Sequence, residues 1–444
     1  TEKELLINYD KYLNNYVASV GNQNNNKIIF MSSGWDSLMV VEKLCKTYKK
    51  IQIKPVIARL KFSNRSKIFN KYEIIKAKKI CKIYGLRLKI IDIDYKNYKK
   101  YLKELNPIVT KKMLLVSDAS FLHSRIINES LKKFSNGDFF SGEISDGVHN
   151  FGFSQYCTLL DHENNGYREY ADKMMTYLFG PTFLKKVIEG KHQLDPIYKL
   201  LKEKLGIKTF KIKKKLNAKK IIKIFLESMF LPDKRFPLKA NISNLIKKKA
   251  ELKIKNNFYK DYLKNIKISD FREIYSLYIY LYNKFHWQGS TVNPAFAFTC
   301  AKNNNMANLF WDKNIHKLLS TMPEKYGRGL DIGYVKYPSK KLISKKVDIA
   351  DLNKFPHSYL SDYSNFDSNY ELLFHSKMRD YIKDVFKTHN PAIFLDKNFF
   401  NIKNINVLLK KFYSKQKNTS AKEATLIYSL FCVSKILKDL NFKY

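Results

Sequence analysis

The sequence predicts an α/β fold, in which helices flank a parallel sheet of the five-stranded type and a mostly helical C-terminal region follows. Up to about residue 164, apolar runs of strand length alternate with amphipathic segments of helical spacing. This order is typical of a parallel sheet with right-handed crossovers. From about residue 165, helical patterns rich in Lys, Leu, Ile and Tyr dominate. We therefore expect two domains, residues 1–164 and 165–444, since chains of this length rarely form one core.

Hydrophobic periodicity assigns the elements in order. The pattern predicts a helix at residues 4–20, a strand at 28–30 and a helix from Leu38. The next predicted elements are a strand at 51–58, a helix at 72–84 that ends at Gly85, a strand at 86–92, a helix at 116–134 and a strand around Phe139. Further helices are predicted at 198–205, 218–231, 241–254, 270–285 and 315–322, and beyond residue 347. Pro55 counts against the second strand, because proline cannot donate a hydrogen bond to a strand ladder.

The turn after the strand at 28–30 is the first candidate site. Its residues are Met31, Ser32, Ser33, Gly34, Trp35, Asp36 and Ser37. A loop of this kind before a helix offers backbone N–H groups and the positive end of the helix to a phosphate. Ser32 and Ser37 add hydroxyl donors, and Asp36 can hold Mg²⁺ against the same phosphates. The common P-loop is excluded, because no Gly-Lys-Ser/Thr follows at the required spacing.

A second turn of similar composition follows the strand around Phe139. Its residues are Ser141, Gly142, Glu143, Ile144, Ser145, Asp146 and Gly147. Asp146 lies 110 residues after Asp36, which leaves room for several strand–helix units between the turns. Ligands of open α/β sheets lie at the carboxyl ends of the strands. We therefore expect the two turns to meet over one magnesium–triphosphate group.

The pair of turns resembles the asparagine synthetase family of the PP-loop ATP pyrophosphatases, whose synthetase domain carries S-G-G-x-D-S and later S-G-E-G-S-D-E. The chain departs from these motifs at Ser33, Ile144 and Gly147. Residues 308–312 resemble the P-F-L-D stretch of the family, although Ala307 stands where an arginine is usual. Residues 334–342 resemble the K-x-x-L-R segment. Within them Lys336 matches the active-site lysine of the family, and Lys340 is the competing choice.

The resemblance implies a PP-loop ATPase sheet, of the adenine nucleotide alpha hydrolase-like kind, and an ATP-dependent ligase that forms amide bonds. The implied nucleotide-binding residues are Met31, Ser32, Ser33, Gly34, Asp36, Ser37, Ser141 and Gly142. Asp36 and Asp146 would hold Mg²⁺, Lys336 would offset charge at the α-phosphate, and Glu143 would act as a general base. The implied partners are a small-molecule or peptide carboxylate and an amine or ammonia. The resemblance leaves a separate glutaminase as one source of ammonia, since we expect no glutaminase domain in the sequence before the strand at 28–30.

Two alternatives stay open. The formal net charge of +42 and basic clusters such as residues 211–215 favour a tRNA-modifying PP-loop ATPase. The accompanying richness in Asn, Ile, Tyr and Phe is typical of an AT-rich genome, which would explain the lysines without nucleic-acid binding. The departures at Ser33, Ile144, Gly147 and Ala307 leave room for a non-catalytic scaffold that keeps a degenerate nucleotide loop.

Cysteine usage and hydropathy indicate a cytoplasmic protein. The cysteines are scattered without a Cys-x-x-Cys pair, at Cys45, Cys81, Cys157, Cys300 and Cys432. Such spacing predicts buried thiols in a reducing compartment rather than disulfides or zinc ligands. No apolar run reaches the roughly eighteen residues of a membrane span, and the first residues are acidic rather than those of a signal peptide.

Overall fold

A computed structural model describes most of the predicted sheet and its flanking helices. The described residues are 1–32, 34–63, 70–111, 118–134, 136–149, 181–196, 245–264, 292–300, 302–322, 336–348, 368–414 and 419–441, with a few single positions between them. The predicted helices at 198–205, 218–231 and 270–285 lie largely outside these ranges. The predicted nucleotide-loop residue Ser33 also lies outside them.

The centre of the fold is a five-stranded sheet in the order β3-β2-β1-β4-β5. Its strands are β1 Asn26–Phe30, β2 Ile53–Lys61, β3 Lys89–Asp94, β4 Gly137–Ser141 and β5 Asn305–Asn308. All four neighbouring pairs are parallel. The predicted parallel sheet is therefore confirmed, with β1 at its centre.

Helices surround the sheet and, apart from β5, form most of the described part of the C-terminal region. The helices before β5 are α1 Glu2–Val20, α2 Trp35–Thr47, α3 Lys71–Ile83, α4 Tyr98–Lys111, α5 Asp118–Leu131, α6 Ser145–Val148, α7 Pro181–Ile188, α8 Lys248–Phe258 and α9 Asn293–Cys300. Those after it are α10 Lys313–Ser320, α11 Tyr337–Ile343, α12 Ser368–His375, α13 Met378–Thr388, α14 Pro391–Phe394, α15 Ile402–Tyr413 and α16 Ala421–Asp439. The predicted helical character of the C-terminal region is confirmed.

Both faces of the sheet are covered, as expected for parallel strands joined by helical crossovers. Neighbouring residues of a strand point to opposite faces, so Ile28 and Phe139 contribute to one core and Ile29 and Phe140 to the other. The first core includes residues of α4, α5, α9 and the helices from α12 to α16. The second includes residues of α1, α2, α3, α10 and α11.

The helix α1 shows how local sequence places an element on the second core. Thr1 and Glu4 form a capping box, which satisfies backbone donors at the start of the helix. Leu5, Tyr9 and Leu13 are buried at a spacing of four residues, and this stripe faces the core. The stripe is not purely apolar, because Tyr9 brings a buried hydroxyl group into this core.

The strand predicted at 51–58 is confirmed as β2, and it contains Pro55. The ladder between β2 and β3 begins only at Val56, and the Val56 carbonyl accepts a hydrogen bond from the Met31 N–H on the β1 side. Pro55, which lacks an N–H donor, therefore faces the β3 side at a point where β3 has not yet begun. The strand β5 was not predicted, and it extends the sheet with residues from beyond position 165.

Neither disulfides nor membrane-spanning helices are found in the part of the chain that the structure describes. The described cysteines Cys45, Cys81, Cys300 and Cys432 form no disulfide bond. Burial raises the pKa of the Cys81 thiol to about 12, which keeps it protonated near neutral pH. Across the described ranges, every helix is too short or too polar to cross a bilayer.

Candidate functional site

The strand order predicts a crevice at the carboxyl edge of the sheet, between the ends of β1 and β4. The strands run outward from β1 to β2 and β3 on one side, and β4 and β5 lie on the other. The order of the strands therefore reverses between β1 and β4, where connections leave in opposite directions. Ligands of open α/β sheets bind at such a reversal. The two candidate turns leave these two strands, so the fold brings them to the same place.

The turn after β1 is a compact loop with a hydrogen-bonded interior. The Ser37 hydroxyl donates to the Ser32 carbonyl at 2.6 Å and lies 3.0 Å from the Gly34 carbonyl. The Gly34 N–H donates to the Ser32 hydroxyl at 3.2 Å. Met31 and Ser37 are buried, whereas Ser32 is exposed. Of these predicted contact residues, Ser37 therefore stabilises the loop from inside, whereas Ser32 lies at the surface.

The first turn of α2 points the positive end of that helix into the crevice. Gly34 is the N-cap residue and makes no side-chain capping bond. The first N–H groups of a helix lack intrahelical acceptors, so they are available to an anion. Asp36 lies in this first turn and its side chain is about one-quarter exposed.

The turn after β4 lies directly against the first turn. A Cβ atom placed on Gly142 would lie 2.8 Å from both the carbonyl carbon and the Cβ of Asp36. Only glycine permits this approach, since real Cβ contacts are almost never so short. Ile144 follows in the left-handed region at φ 75°, so the chain reverses sharply before α6. The predicted meeting of the two turns is a feature of the structure.

The Asp36 carboxylate has a partner on each oxygen. The Ser145 hydroxyl donates to Oδ1 at 2.6 Å. The Lys336 ammonium donates to Oδ2 at 2.5 Å and its side chain is 11% exposed. Lys336 is 300 residues from Asp36 in the sequence, yet its ammonium group lies beside Asp36. Lys336 is the residue that the resemblance matched to the active-site lysine.

The competing lysine lies at the same place. The Lys340 ammonium is 5.3 Å from the ring centroid of Trp35, the neighbour of Asp36. Burial, with a smaller contribution from Lys336, lowers the pKa of Lys340 to about 8. Lys336 is the N-cap residue of α11 and has a left-handed backbone at φ 59°, so both lysines are presented by one helix start. The structure brings both candidates together rather than selecting one.

A buried group of polar side chains behind Asp36 was not predicted from the sequence. The Tyr9 hydroxyl lies 2.8 Å from His149 Nε2 and 2.6 Å from the Ser339 hydroxyl. His149 Nδ1 lies 2.7 Å from the Ser145 carbonyl and 3.1 Å from the Ser145 hydroxyl. The spacing of four residues between Ser145 and His149 was the one available sequence indication. Tyr9 gave none, because it occupies an apolar position of α1.

The other predicted site residues lie on the second turn. The Ser141 hydroxyl accepts a hydrogen bond from the Glu143 N–H at 3.1 Å, and Glu143 is half-buried. The backbone of Asp146 lies in α6, but its side chain is outside the described part of the structure. Among the described residues, no three His, Cys, Asp or Glu side chains are grouped as a metal site. The role of Asp146 as a metal ligand stays a prediction.

The stretch that resembled P-F-L-D has a structural role in the described fold. Ala307 is buried in β5, and Asp312 caps α10 by accepting from the N–H groups of Asn314 and Ile315 at 2.8 and 3.1 Å. The predicted helix at 315–322 is thus confirmed in slightly shifted form. Searches for similar proteins found no protein-family model and no curated protein that match this chain.

Proposed function

We propose that the chain is an ATP-dependent ligase that forms an amide bond, of the asparagine synthetase type within the PP-loop ATP pyrophosphatases. The observation that carries this proposal is the meeting of two strand-end turns on Asp36, which lies between Ser145 and Lys336. Residues 1–164 would then supply four strands and the two turns of the nucleotide-binding domain, and residues 165–444 would add β5 and complete the active site. A cytoplasmic location fits such an ATP-dependent reaction.

The donors around the crevice fit a magnesium–triphosphate group. The Asp36 carboxylate is an oxygen ligand of the kind Mg²⁺ prefers, and Asp146 is the second candidate. Backbone N–H groups at the start of α2 and the Ser32 hydroxyl suit phosphate oxygens. Magnesium, when bound, would neutralise charge on the β- and γ-phosphates. Because Gly142 lies against the backbone of Asp36, the two turns are close enough for one phosphate chain to contact both.

Activation of a carboxylate would be the first half-reaction. A carboxylate oxygen attacks the α-phosphorus of ATP, the bond to the β-phosphate oxygen breaks, and pyrophosphate leaves. Lys336 and Lys340 would offset the charge that develops on the phosphate oxygens, because both ammonium groups lie beside the crevice. The start of α2 would hold the leaving pyrophosphate.

Formation of the amide would be the second half-reaction. The nitrogen of an amine or ammonia attacks the acyl carbon, AMP leaves, and the nitrogen loses a proton. Glu143 is the candidate acceptor of this proton, since it follows Gly142 on the second turn and is half-buried. The carboxylate substrate would be a small molecule or a peptide. A separate glutaminase could deliver ammonia.

The products of ATP cleavage test the proposal. The full chain is incubated with Mg²⁺, ATP and a panel of carboxylates and amines, and nucleotides are separated by mass. We expect AMP and pyrophosphate, and we expect Asp36→Asn to abolish their release while the thermal unfolding midpoint stays near that of the wild type. Release of ADP and phosphate would contradict the PP-loop assignment. Full activity of Asp36→Asn would remove Asp36 from the site.

The charge of the chain favours one second candidate, a tRNA-modifying PP-loop ATPase. The net charge is +42, and a polyanion would be attracted to such a surface. The same mass assay separates the candidates when tRNA is added as the only co-substrate. Release of AMP that requires tRNA would favour the second candidate over the ligase.

A further inference from the structure

Hydrogen bonds, one ion pair and the first turn of α11 together form a ring behind the crevice. It passes from Asp36 to Ser145, His149, Tyr9 and Ser339. Ser339 lies in the first turn of α11, whose N-cap residue Lys336 returns to Asp36. The ring therefore connects both partners of the Asp36 carboxylate through α1, α6 and α11.

The donors and acceptors of the ring can be assigned from chemistry. The Ser145 hydroxyl uses its single proton on Asp36, and the Ser145 carbonyl can only accept. His149 Nδ1 therefore carries a proton and donates to that carbonyl. In the neutral imidazole Nε2 is then an acceptor, and the Tyr9 hydroxyl donates to it at 2.8 Å. The Ser339 hydroxyl in turn donates to the Tyr9 oxygen. With a neutral imidazole, this pattern satisfies every bond of the ring.

Because the ring is buried among apolar residues, its contribution to the free energy of folding does not by itself account for its presence. Tyr9 and Ser339 are fully buried and His149 is 2% exposed, within the apolar core on the α1 face of the sheet. The His149 ring also packs edge-on against Phe310, with centroids 5.2 Å apart. Buried polar groups gain little net stability over apolar groups of the same shape, but a fully satisfied network is rigid. Rigidity is useful where a carboxylate must keep one orientation.

We infer that Tyr9 and His149 are positioning residues, which hold Ser145 and α11 so that Asp36 and Lys336 face the magnesium–phosphate group together. This inference rests on the proposed function. Groups that orient a metal ligand through a hydrogen bond are typically worth about 10- to 100-fold in metal affinity. Ser145 and His149 stand between Asp36 and Tyr9 in this ring, so we expect an effect at the lower end of that range.

The test measures binding rather than turnover. ATP binding to the full chain is followed by calorimetry at increasing Mg²⁺ and in excess chelator, which separates the metal-dependent part of affinity from the metal-free part. Tyr9→Phe removes the bridging hydroxyl and keeps the ring. His149→Asn keeps an N–H donor near the position of Nδ1, but its side chain is too short to accept the hydrogen bond from the Tyr9 hydroxyl. We expect both variants to raise the Mg²⁺ concentration for half-maximal binding by about 10-fold, with a smaller loss of metal-free ATP binding, because that part depends on Lys336 and not on the metal ligand Asp36.

Tyr48→Phe is the matched control. The Tyr48 hydroxyl is also buried against α1 and donates to the Val17 carbonyl at 2.9 Å, and within the described structure no hydrogen bond links it to a member of the ring. We expect it to lower the unfolding temperature much as Tyr9→Phe does, without any change in Mg²⁺ dependence. If Tyr9→Phe matches this control in both measurements, the inference is wrong and the ring is structural. If the wild type itself fails to bind ATP, the proposed function is wrong, and the inference with it.

Discussion

Substitution of Gly142 by alanine tests the contact that joins the two turns. The added methyl group would lie 2.8 Å from the carbonyl carbon of Asp36 and 3.0 Å from its carbonyl oxygen. Both are backbone atoms, so no flexible side chain can move aside. The conflict is steric alone, since Gly142 does not have a left-handed backbone that alanine would resist.

The size of the effect follows from these distances. Carbon atoms in ordinary contact lie about 3.5–4.0 Å apart, so the turn after β4 must retreat from Asp36 by about 1 Å. Overpacking of this kind typically costs about 1–3 kcal/mol of folding free energy. A displacement of about 1 Å in a site that must align reacting groups can cost about 10²-fold in rate. We therefore expect Gly142→Ala to fold, with reduced stability, and to lose about 10²-fold in pyrophosphate exchange into ATP.

A glycine at the other end of the same strand supplies the control. A methyl group on Gly137 would meet the tip of the Ile28 side chain, far from the crevice. Gly137→Ala should therefore lose stability in urea unfolding and keep exchange near the wild-type rate. The reasoning is refuted if Gly142→Ala exchanges pyrophosphate as fast as Gly137→Ala at equal folded fraction. Close approach of the two turns would then have no part in nucleotide chemistry.

Two further predictions concern single groups in the crevice. Glu143→Gln should keep pyrophosphate exchange and lose about 10²–10⁴-fold in amide formation, because a positioned base acts only on the nitrogen; equal loss of both would make Glu143 structural. The pKa of Lys340 is about 8, and a bound phosphate chain would raise it. ATP binding should therefore take up a proton and weaken as pH rises through about 8, and calorimetry should find this pH dependence absent in Lys340→Met.

The parts of the fold that sequence predicted are those with strong local patterns. The strand at 28–30 and the helix after it are confirmed as β1 and α2, because apolar residues and a glycine turn determine them locally. β5 escaped prediction for the opposite reason. It has four residues and asparagine at both ends, so its own sequence carries no strand pattern. Its place in the sheet depends on pairing with Asp138–Ser141 of β4, which is a tertiary interaction.

The same distinction between local patterns and tertiary interactions applies to the candidate site. The two turns were recognised because each is a continuous motif. The ion pair between Asp36 and Lys336 joins residues 300 positions apart, and only a resemblance pointed to that lysine. The bond between Tyr9 and Ser339 spans 330 positions and involves a tyrosine in an apolar stripe. Side chains brought together by the packing of α1 against α11 leave no periodic pattern that a sequence could reveal.

The local charges of the crevice matter more to its chemistry than the net charge of the chain. At physiological ionic strength, charges beyond about 8 Å are largely screened, so exposed lysines at a greater distance would act weakly on a nucleotide bound in the crevice. Lys336 is mostly buried beside Asp36, and Lys340 is shielded enough for burial to lower its pKa. Their interaction with a phosphate chain is therefore screened far less. If the proposed function is right, these two ammonium groups and the start of α2 would favour a small triphosphate over an extended polyanion.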